Sequence, residues 1–406
     1  MRFPEGFRWG AATASYQVEG GIESTDWAEA AREGRVPECG RACDHYHRYE
    51  ADFDIAKELG HTAHRLSIEW ARIEPAEGLF DEREIEHYRK VLAALHARGL
   101  KPYVTLWHFT QPLWFVERGG FECKGAAEIF ARYCAYVVSQ LSDLCGDFAT
   151  MNEPNVFASN GWLRGTWPPF KRFAATDLVA ITTSGRVHDP KYARGVRPLF
   201  LYLRVLKNLA RAHNAAYDAI KEVAPDARVS LVKQVIVFAG NWNPLNKVTA
   251  WVANYFWTHQ FMRRVRRHCD EIGLNYYHYK QFGDRERHPK TDMDWDVQPE
   301  HIYEALMMLA RYQKPLYVSE AGLADADDDI RAEYIRKQVK GTWRAIQDGA
   351  DVHTHLYWSL LDNYEWALGF EKRFGLVAVD YTTLERTVRS SAHVYKEIIE
   401  RNAVIE

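Results

Sequence analysis

The chain is short of nearly everything that would mark a membrane, secreted or nucleic-acid protein. It contains no run of 18 or more uncharged apolar residues, so no membrane-spanning helix is expected. Its first ten residues, MRFPEGFRWG, hold Pro4 and Glu5 and lead into no apolar stretch, so no signal peptide is expected. An excess of one charge is missing too: 52 Lys and Arg stand against 55 Asp and Glu, which leaves no global basic field to gather nucleic-acid phosphates. The six cysteines form no CxxC pair and read as reduced, structural thiols, so a cytoplasmic location is expected. There is no Gly-rich phosphate loop and no Cys/His set with metal-ligand spacing, and neither cofactor nor metal is expected. No linker-like or low-complexity tract divides the chain.

Aromatics are plentiful: 14 Trp, 22 Tyr and 19 Phe. Such numbers either fill a large core or line a binding surface. Along the chain, apolar runs of strand character alternate with helical patterns. The runs are 7–15, 61–70, 101–109, 148–154, 227–234, 270–277, 314–322 and 351–360. Strands alternating with helices give parallel βαβ units, and eight of them predict a closed (β/α)8 TIM barrel of the α/β class. A bare barrel takes about 250 residues, so residues 1–406 form one expected domain with elaborated βα loops. Barrel chemistry sits at the C-terminal strand ends. Those ends carry Trp70, His108, Asn152, Glu153, Asn275, Tyr277, Glu320 and Trp358. The Pro-broken stretch Thr166–Val196 is a long loop expected to shape the site.

Two carboxylates each follow an apolar strand, Glu153 after FATMN and Glu320 after PLYVS. On an eight-strand ring they end strands 4 and 7, where their side chains can converge. A carboxylate pair about 5–5.5 Å apart is the arrangement for retaining glycoside hydrolysis. Each Glu taken alone could equally cap or pair locally at the barrel rim.

The motifs that surround them resemble glycoside hydrolase family 1, the β-glucosidase/β-galactosidase family, over nearly the whole chain. In order they are FRWGAATASYQVEG (7–20), ACDHYHRYEAD (42–52), HRLSIEWARIEP (64–75), TLWHFTQP (105–112), TMNEPN (150–155), GLNYY (273–277), YVSEAG (317–322) and YWSLLDNYEWALGFEKRFGLVAVDY (357–381). The resemblance implies a retaining, exo-acting β-glycosidase acting on a small β-glycoside or oligosaccharide. It implies Glu153 as acid/base, Glu320 as nucleophile, Arg65 and Tyr277 as donors to Glu320, and Asn152 at the sugar 2-hydroxyl. It also implies Gln17, His108, Glu365 and Trp366 at the other glycone hydroxyls, Trp358 as the platform under the ring, and Phe109 and Trp295 as further lining. Relatives that take 6-phosphorylated sugars place a small hydroxyl residue where Glu365 stands, so unphosphorylated substrates are expected. A transglycosylase with the same two glutamates is one alternative. A sugar-binding pseudoenzyme is another, disfavoured because both Glu positions are filled.

The chain also departs from the family's pattern. Ala321 follows the nucleophile where Asn is usual. Asn155 replaces a bulky aromatic, which would open the leaving-group side. Phe109 replaces a common Trp. The stretch before Asp270 is short and carries the basic run Arg263, Arg264, Arg266, Arg267 and His268, so the access channel is expected to differ. That run reads first as a solvated helix end, with peripheral membrane contact as the minority reading. The aromatic-dense segment Trp242–Met262 reads first as a buried helix, with an exposed apolar surface favouring hydrophobic leaving groups as the rival. Asp44-His45-Tyr46-His47 reads as packing rather than a metal site. Asp325, Asp327, Asp328 and Asp329 read as acidic residues at a helix N-terminus.

Overall fold

The computed structural model describes residues 1–172, 197–284, 286 and 288–405. Eight parallel strands close into a barrel in sequence order. They are β1 (Arg8–Ala12), β2 (Ala63–Ser67), β3 (Lys101–Thr105), β4 (Asp147–Asn152), β5 (Arg228–Gly240), β6 (Glu271–Phe282), β7 (Leu316–Ala321) and β8 (Val352–Trp358). Closure is made by β1 against β8, in register from Arg8 opposite Thr354 to Ala12 opposite Trp358. Each expected run therefore overlaps a barrel strand, and five of the eight contain one whole. The expected Thr166–Val196 loop lies outside the described residues from position 173 onward.

Local sequence explains the connections. The helix Glu82–Ala97 begins where the Asp81 side chain accepts from the Arg83 N–H. It buries Ile85, Tyr88, Val91, Leu92 and Leu95 on one face. It ends at Gly99, whose φ of +72° is a left-handed conformation that costs glycine little. The expected acidic start of the helix Arg331–Gln347 is also seen: Asp325 accepts from the N–H groups of Ile330 and Arg331. His45 pairs with Asp52, which also takes Arg386, so the Asp44–His47 cluster serves packing.

The barrel interior is filled rather than hollow. Ala63, Tyr103, Ala149, Val232, Tyr317 and Leu356 form a buried cluster of their own. The rings of Tyr103 and Tyr317 stack with centroids 5.4 Å apart. Their hydroxyls meet Thr354 and Ser230, each at 2.9 Å. Gly273 makes room for this plug, since a Cβ there would stand 2.8 Å from the Tyr317 hydroxyl. The plug is the floor on which the rim residues stand.

Two features differ from the sequence reading. Strands β5 and β6 run beyond the rim and stay paired out to Gly240 opposite Phe282. The aromatic segment that follows is not a buried helix throughout. It forms a helix Pro244–Asn254, a π turn Tyr255–His259 and a short helix Gln260–Val265. Ala250, Phe261 and Met262 are buried, whereas Trp242, Leu245, Val248, Trp251, Val252 and Phe256 are exposed. The outer turns have no layer packed over them among the described residues, so their apolar side chains meet solvent.

Candidate active site

The C-terminal strand ends surround a cavity of about 950 Å³. Among the residues lining it are Gln17, His108, Phe109, Asn152, Glu153, Tyr277, Trp295, Glu320, Trp358, Glu365 and Trp366. Of the expected site residues, only Arg65 lies outside the lining, one layer below. Trp70 is different: it starts the short helix Trp70–Ile73, is buried, and donates to Glu74 at 2.9 Å. It belongs to the core.

Strand alternation aims the groups. On β6, Asn275 and Tyr277 face the barrel axis, while Tyr276 points outward and donates to the Gln298 carbonyl at 2.7 Å. The Tyr277 hydroxyl donates to Glu320 Oε2 at 2.7 Å. Glu320 Oε1 is paired with the Arg65 guanidinium. Arg65 also reaches Thr105 Oγ1 and Asn152 Oδ1, both at 2.9 Å, so its position is fixed on three sides. An ion pair this deeply buried requires such satisfaction of its remaining donors. Ala321 is buried against the core and takes no part in holding Glu320.

Glu153 stands just past β4, with φ +43°, and its N–H donates to the Val232 carbonyl at 3.0 Å. Pro154 then opens the helix Pro154–Trp162, its missing N–H harmless at that position. A non-glycine residue in the left-handed region persists only where its surroundings hold it there. Glu153 Oε1 accepts from Asn275 Nδ2 at 2.8 Å. Burial first, then the nearby Glu320, pushes the Glu153 carboxyl above its ordinary range, while the Asn275 hydrogen bond works against that rise. The two carboxyls thus differ: one is matched by a cation and a phenol, the other is held in surroundings that favour its protonated form.

The opposite wall is polar and incompletely satisfied. Gln17 Nε2 donates to Asn363 Oδ1 at 3.0 Å and the Tyr364 carbonyl at 2.7 Å, which fixes the amide. Gln17 Oε1, His108 Nδ1 and Glu365 Oε2 are buried yet make no hydrogen bond to a described residue. All three residues line the cavity. Buried polar atoms normally find partners, so three such atoms on one cavity mark a place built for a polyhydroxylated ligand. Burial, then Glu320, raises the Glu365 carboxyl to about 8. Burial and Arg65 hold the His108 imidazole well below its ordinary value, so it is neutral. His108 lies nearly parallel to Trp358 and Trp366, with centroids 6.1 and 6.0 Å away. Phe109 packs on Trp366 and Trp167. Trp295 lies beside Tyr277 and His278 toward the outer part of the cavity.

Some lining was not singled out from sequence. Ile236, Gln234 and Trp257 come from the extended β5 and the aromatic segment, and Trp257 Nε1 donates to Gln234 Oε1 at 2.8 Å. Asn275, a strand-end candidate without an assigned role, proves to be the direct partner of Glu153; its inward parity with Tyr277 is the signal that would have shown it. Lys233 is fully buried beside this wall, and burial lowers its ammonium well below the usual range. Asn155 is buried outside the cavity lining, with its Nδ2 directed at the Gln234 carbonyl.

A closed barrel whose C-terminal rim carries two unlike carboxyls and a wall of sugar-type donors and acceptors defines a glycoside hydrolase. Comparison with known proteins agrees. The profile of glycosyl hydrolase family 1 matches residues 1–246 and 234–404. The chain belongs to glycosyl hydrolase family 1. It is similar to β-glucosidase A of Thermotoga maritima, 30% identical over an alignment of 470 positions, gaps included, that covers 99% of each chain. It is similar also to the β-galactosidase of Saccharolobus solfataricus, 30% identical, covering 100% of this chain and 96% of that one. Among solved structures, the β-glycosidase of Pyrococcus horikoshii superposes with a TM-score of 0.87 at 33% identity, covering 100% and 96% of the two chains. The Thermotoga maritima β-glucosidase in complex with glucoimidazole gives 0.87 at 29% identity and 99% coverage of both.

Proposed function

We propose that this chain is a single-domain, retaining, exo-acting β-glycosidase that hydrolyses unphosphorylated β-glycosides in two displacements. Glu320, set by Arg65 and Tyr277, attacks the anomeric carbon and forms a glycosyl-enzyme. Glu153, protonated at the start, gives its proton to the leaving oxygen. It then takes a proton from water, which attacks the anomeric carbon and releases Glu320. The observation that carries the reading is the unlike environment of the two carboxyls in one cavity. Asn152, its Oδ1 occupied by Arg65 and Asn275, turns its amide N–H groups toward His108 and the cavity, where a sugar 2-hydroxyl would accept.

The unsatisfied atoms of Gln17, His108 and Glu365 support a glycone pocket with Trp358 beneath the ring. Galactose, glucose and fucose share most of the hydroxyls such a wall reads, which supports a broad glycone range. Glu365, an acceptor for a hydroxyl, supports unphosphorylated sugars. A cytoplasmic location rests on the cysteine usage; the six thiols are free and five of them are buried. Rates on a panel of nitrophenyl β-glycosides, with glucose 6-phosphate as one glycone, test the substrate class. Glu320→Ala with added azide tests the mechanism. Rescue yielding an α-glycosyl azide supports Glu320 as the nucleophile, and undiminished turnover in Glu320→Ala refutes it. Product analysis with an added alcohol separates hydrolysis from transglycosylation.

A further inference from the structure

The segment between β5 and β6 has two faces with different surroundings. Its inner face belongs to the site, since Trp257 lines the catalytic cavity and Ala250 packs on Ile236 and Phe238. Its outer face carries Leu245, Val248, Val252 and Phe256 at helical spacing, with Trp242 and Trp251 beside them. Trp242 is 85% exposed, Leu245 74%, Trp251 69% and Phe256 57%. Half of the large exposed apolar side chains among the described residues therefore lie within fifteen consecutive residues. An apolar set of this kind on a monomer's surface marks an interaction site.

A second observation says what kind of surface it meets. The same segment continues into Arg263, Arg264, Arg266 and Arg267, all exposed. None of these four guanidinium groups forms an ion pair with a described residue. That is unusual here, where most arginines on the other helices are paired with a nearby carboxylate. Lys247 and Arg311 add two more exposed cations. They share with Arg263, Trp251, Tyr255, Met307 and Tyr312 a surface groove of about 750 Å³ between this segment and the helix Ile302–Ala310. The carboxylate in that groove, Glu304, is engaged by His301 at 3.2 Å. Exposed Trp, Leu and Phe beside unneutralised Arg and Lys is the composition of a helix that lies in the interface of an anionic bilayer.

We propose that Trp242–Arg267 is a docking surface for an anionic lipid bilayer. The apolar side chains enter the boundary between headgroups and acyl chains, and the arginines meet lipid phosphates. Because the inner face of the segment lines the catalytic cavity, docking brings the cavity wall beside the membrane without changing it.

The test is flotation of the intact protein with vesicles of phosphatidylcholine alone and of phosphatidylcholine with 30% phosphatidylglycerol, a composition chosen at about a third anionic lipid. The protein is expected to float with the anionic vesicles, and raised salt should release it. Replacing Arg263, Arg264, Arg266 and Arg267 together by Gln should lower binding ~10-fold or more, about five-fold being the ceiling for each arginine. The triple variant Trp242→Ser, Trp251→Ser, Phe256→Ser should do the same on its own. Both variants should cleave soluble nitrophenyl glycosides at the original rate, which shows that they fold. Failure of the original protein to float with anionic vesicles overturns the proposal, as does equal binding to neutral ones. Elution as a dimer that the triple Ser variant converts to monomer also overturns it, assigning the surface to a second copy of the chain.

Discussion

Replacing Asn275 by Ala tests how the acid is poised. Asn275 Nδ2 lies 2.8 Å from Glu153 Oε1 and 3.1 Å from Asn152 Oδ1, and Ser319 Oγ donates to Asn275 Oδ1 at 2.8 Å. The amide thus has a fixed orientation and stays donated to Glu153 in both protonation states. A hydrogen bond to a charged acceptor contributes about 1.5–3 kcal/mol and one to a neutral acceptor about 0.5–1.5. The difference, about 1–1.5 kcal/mol, favours the ionised carboxylate and corresponds to about one pH unit. Burial and Glu320 already raise this group, so removing the opposing donor raises it further. Glycosylation needs Glu153 protonated, so activity is lost as pH rises through its pKa. The descending alkaline limb of kcat/KM should therefore move up by about one unit in Asn275→Ala. The assay is kcat/KM against pH with an alkyl β-glucoside, whose poor leaving group makes protonation decisive. The height of the profile will fall as well, because Asn152 loses a neighbour, but its position on the pH axis reports the acid. Ser319→Ala, which only frees the Asn275 carbonyl, should give a smaller shift of the same sign. An alkaline limb that stays put or moves down would refute the assignment of Asn275 as the donor that restrains Glu153.

Other outcomes follow from the same geometry. Glu153→Gln should slow alkyl glycosides far more than dinitrophenyl glycosides, whose leaving groups need no proton, so a plot of rate against leaving-group pKa should steepen. Gln17→Ala and His108→Ala should each lower kcat/KM ~10- to 100-fold by removing a glycone contact of about 1.5–3 kcal/mol, and Gln17→Ala should also lower the melting temperature, because its Nε2 gives up buried bonds to Asn363 and the Tyr364 carbonyl. Glu365 is raised to about 8, so the folded state holds its proton above the pH at which the unfolded chain releases it. Stability from this group therefore falls as pH rises from the ordinary carboxyl range toward 8. Glu365→Gln should accordingly raise the melting temperature at alkaline pH and leave it unchanged near pH 4, while abolishing most activity; the stabilisation, screened by the open cavity, is about 1–3 kcal/mol. Finally, catalytic efficiency should rise along a series of alkyl glucosides of increasing chain length if Trp257, Ile236 and Trp295 receive the leaving group, and a flat series would remove that role.

The sequence exposed the barrel because each strand is bounded by a turn or a helix start, as Gly99 shows before β3 and Pro154 after β4. It exposed the chemistry because the reacting groups sit at strand ends, where one position past an apolar run is already the rim. Glu153, Glu320, Tyr277 and Trp358 were legible for that reason, with the family motifs assigning their roles. Two kinds of information were not legible. The register beyond the rim was hidden, since nothing in VIVFAG or HYKQF says that the two runs remain paired from Ile236 opposite His278 to Gly240 opposite Phe282. The fate of the 242–262 aromatics was hidden too, because helical spacing identifies a face but not what stands opposite it. Phe261 and Trp251 have similar neighbours in sequence, yet one is core and the other is 69% exposed.

These two hidden features have one cause. The family's profile matches the chain in two stretches that meet at residues 234–246, at the outer end of β5. A cavity wall has to be made there. The paired overhang of β5 and β6 makes it, putting Ile236, Gln234 and His278 around the cavity. Beyond the cavity the overhang carries Phe238 on the same side as Ile236, and its ring needs cover. The segment from Pro244 supplies the cover with Ala250 and Trp257 against Ile236 and Phe238. Having no further layer outside it among the described residues, that helix keeps its own outer face exposed. An apolar exterior is not required by this arrangement, since polar residues at Leu245, Val248, Val252 and Phe256 would cover the overhang equally well. Apolar side chains there, followed by four arginines without an ion pair among the described residues, therefore answer to something outside the barrel rather than to its construction.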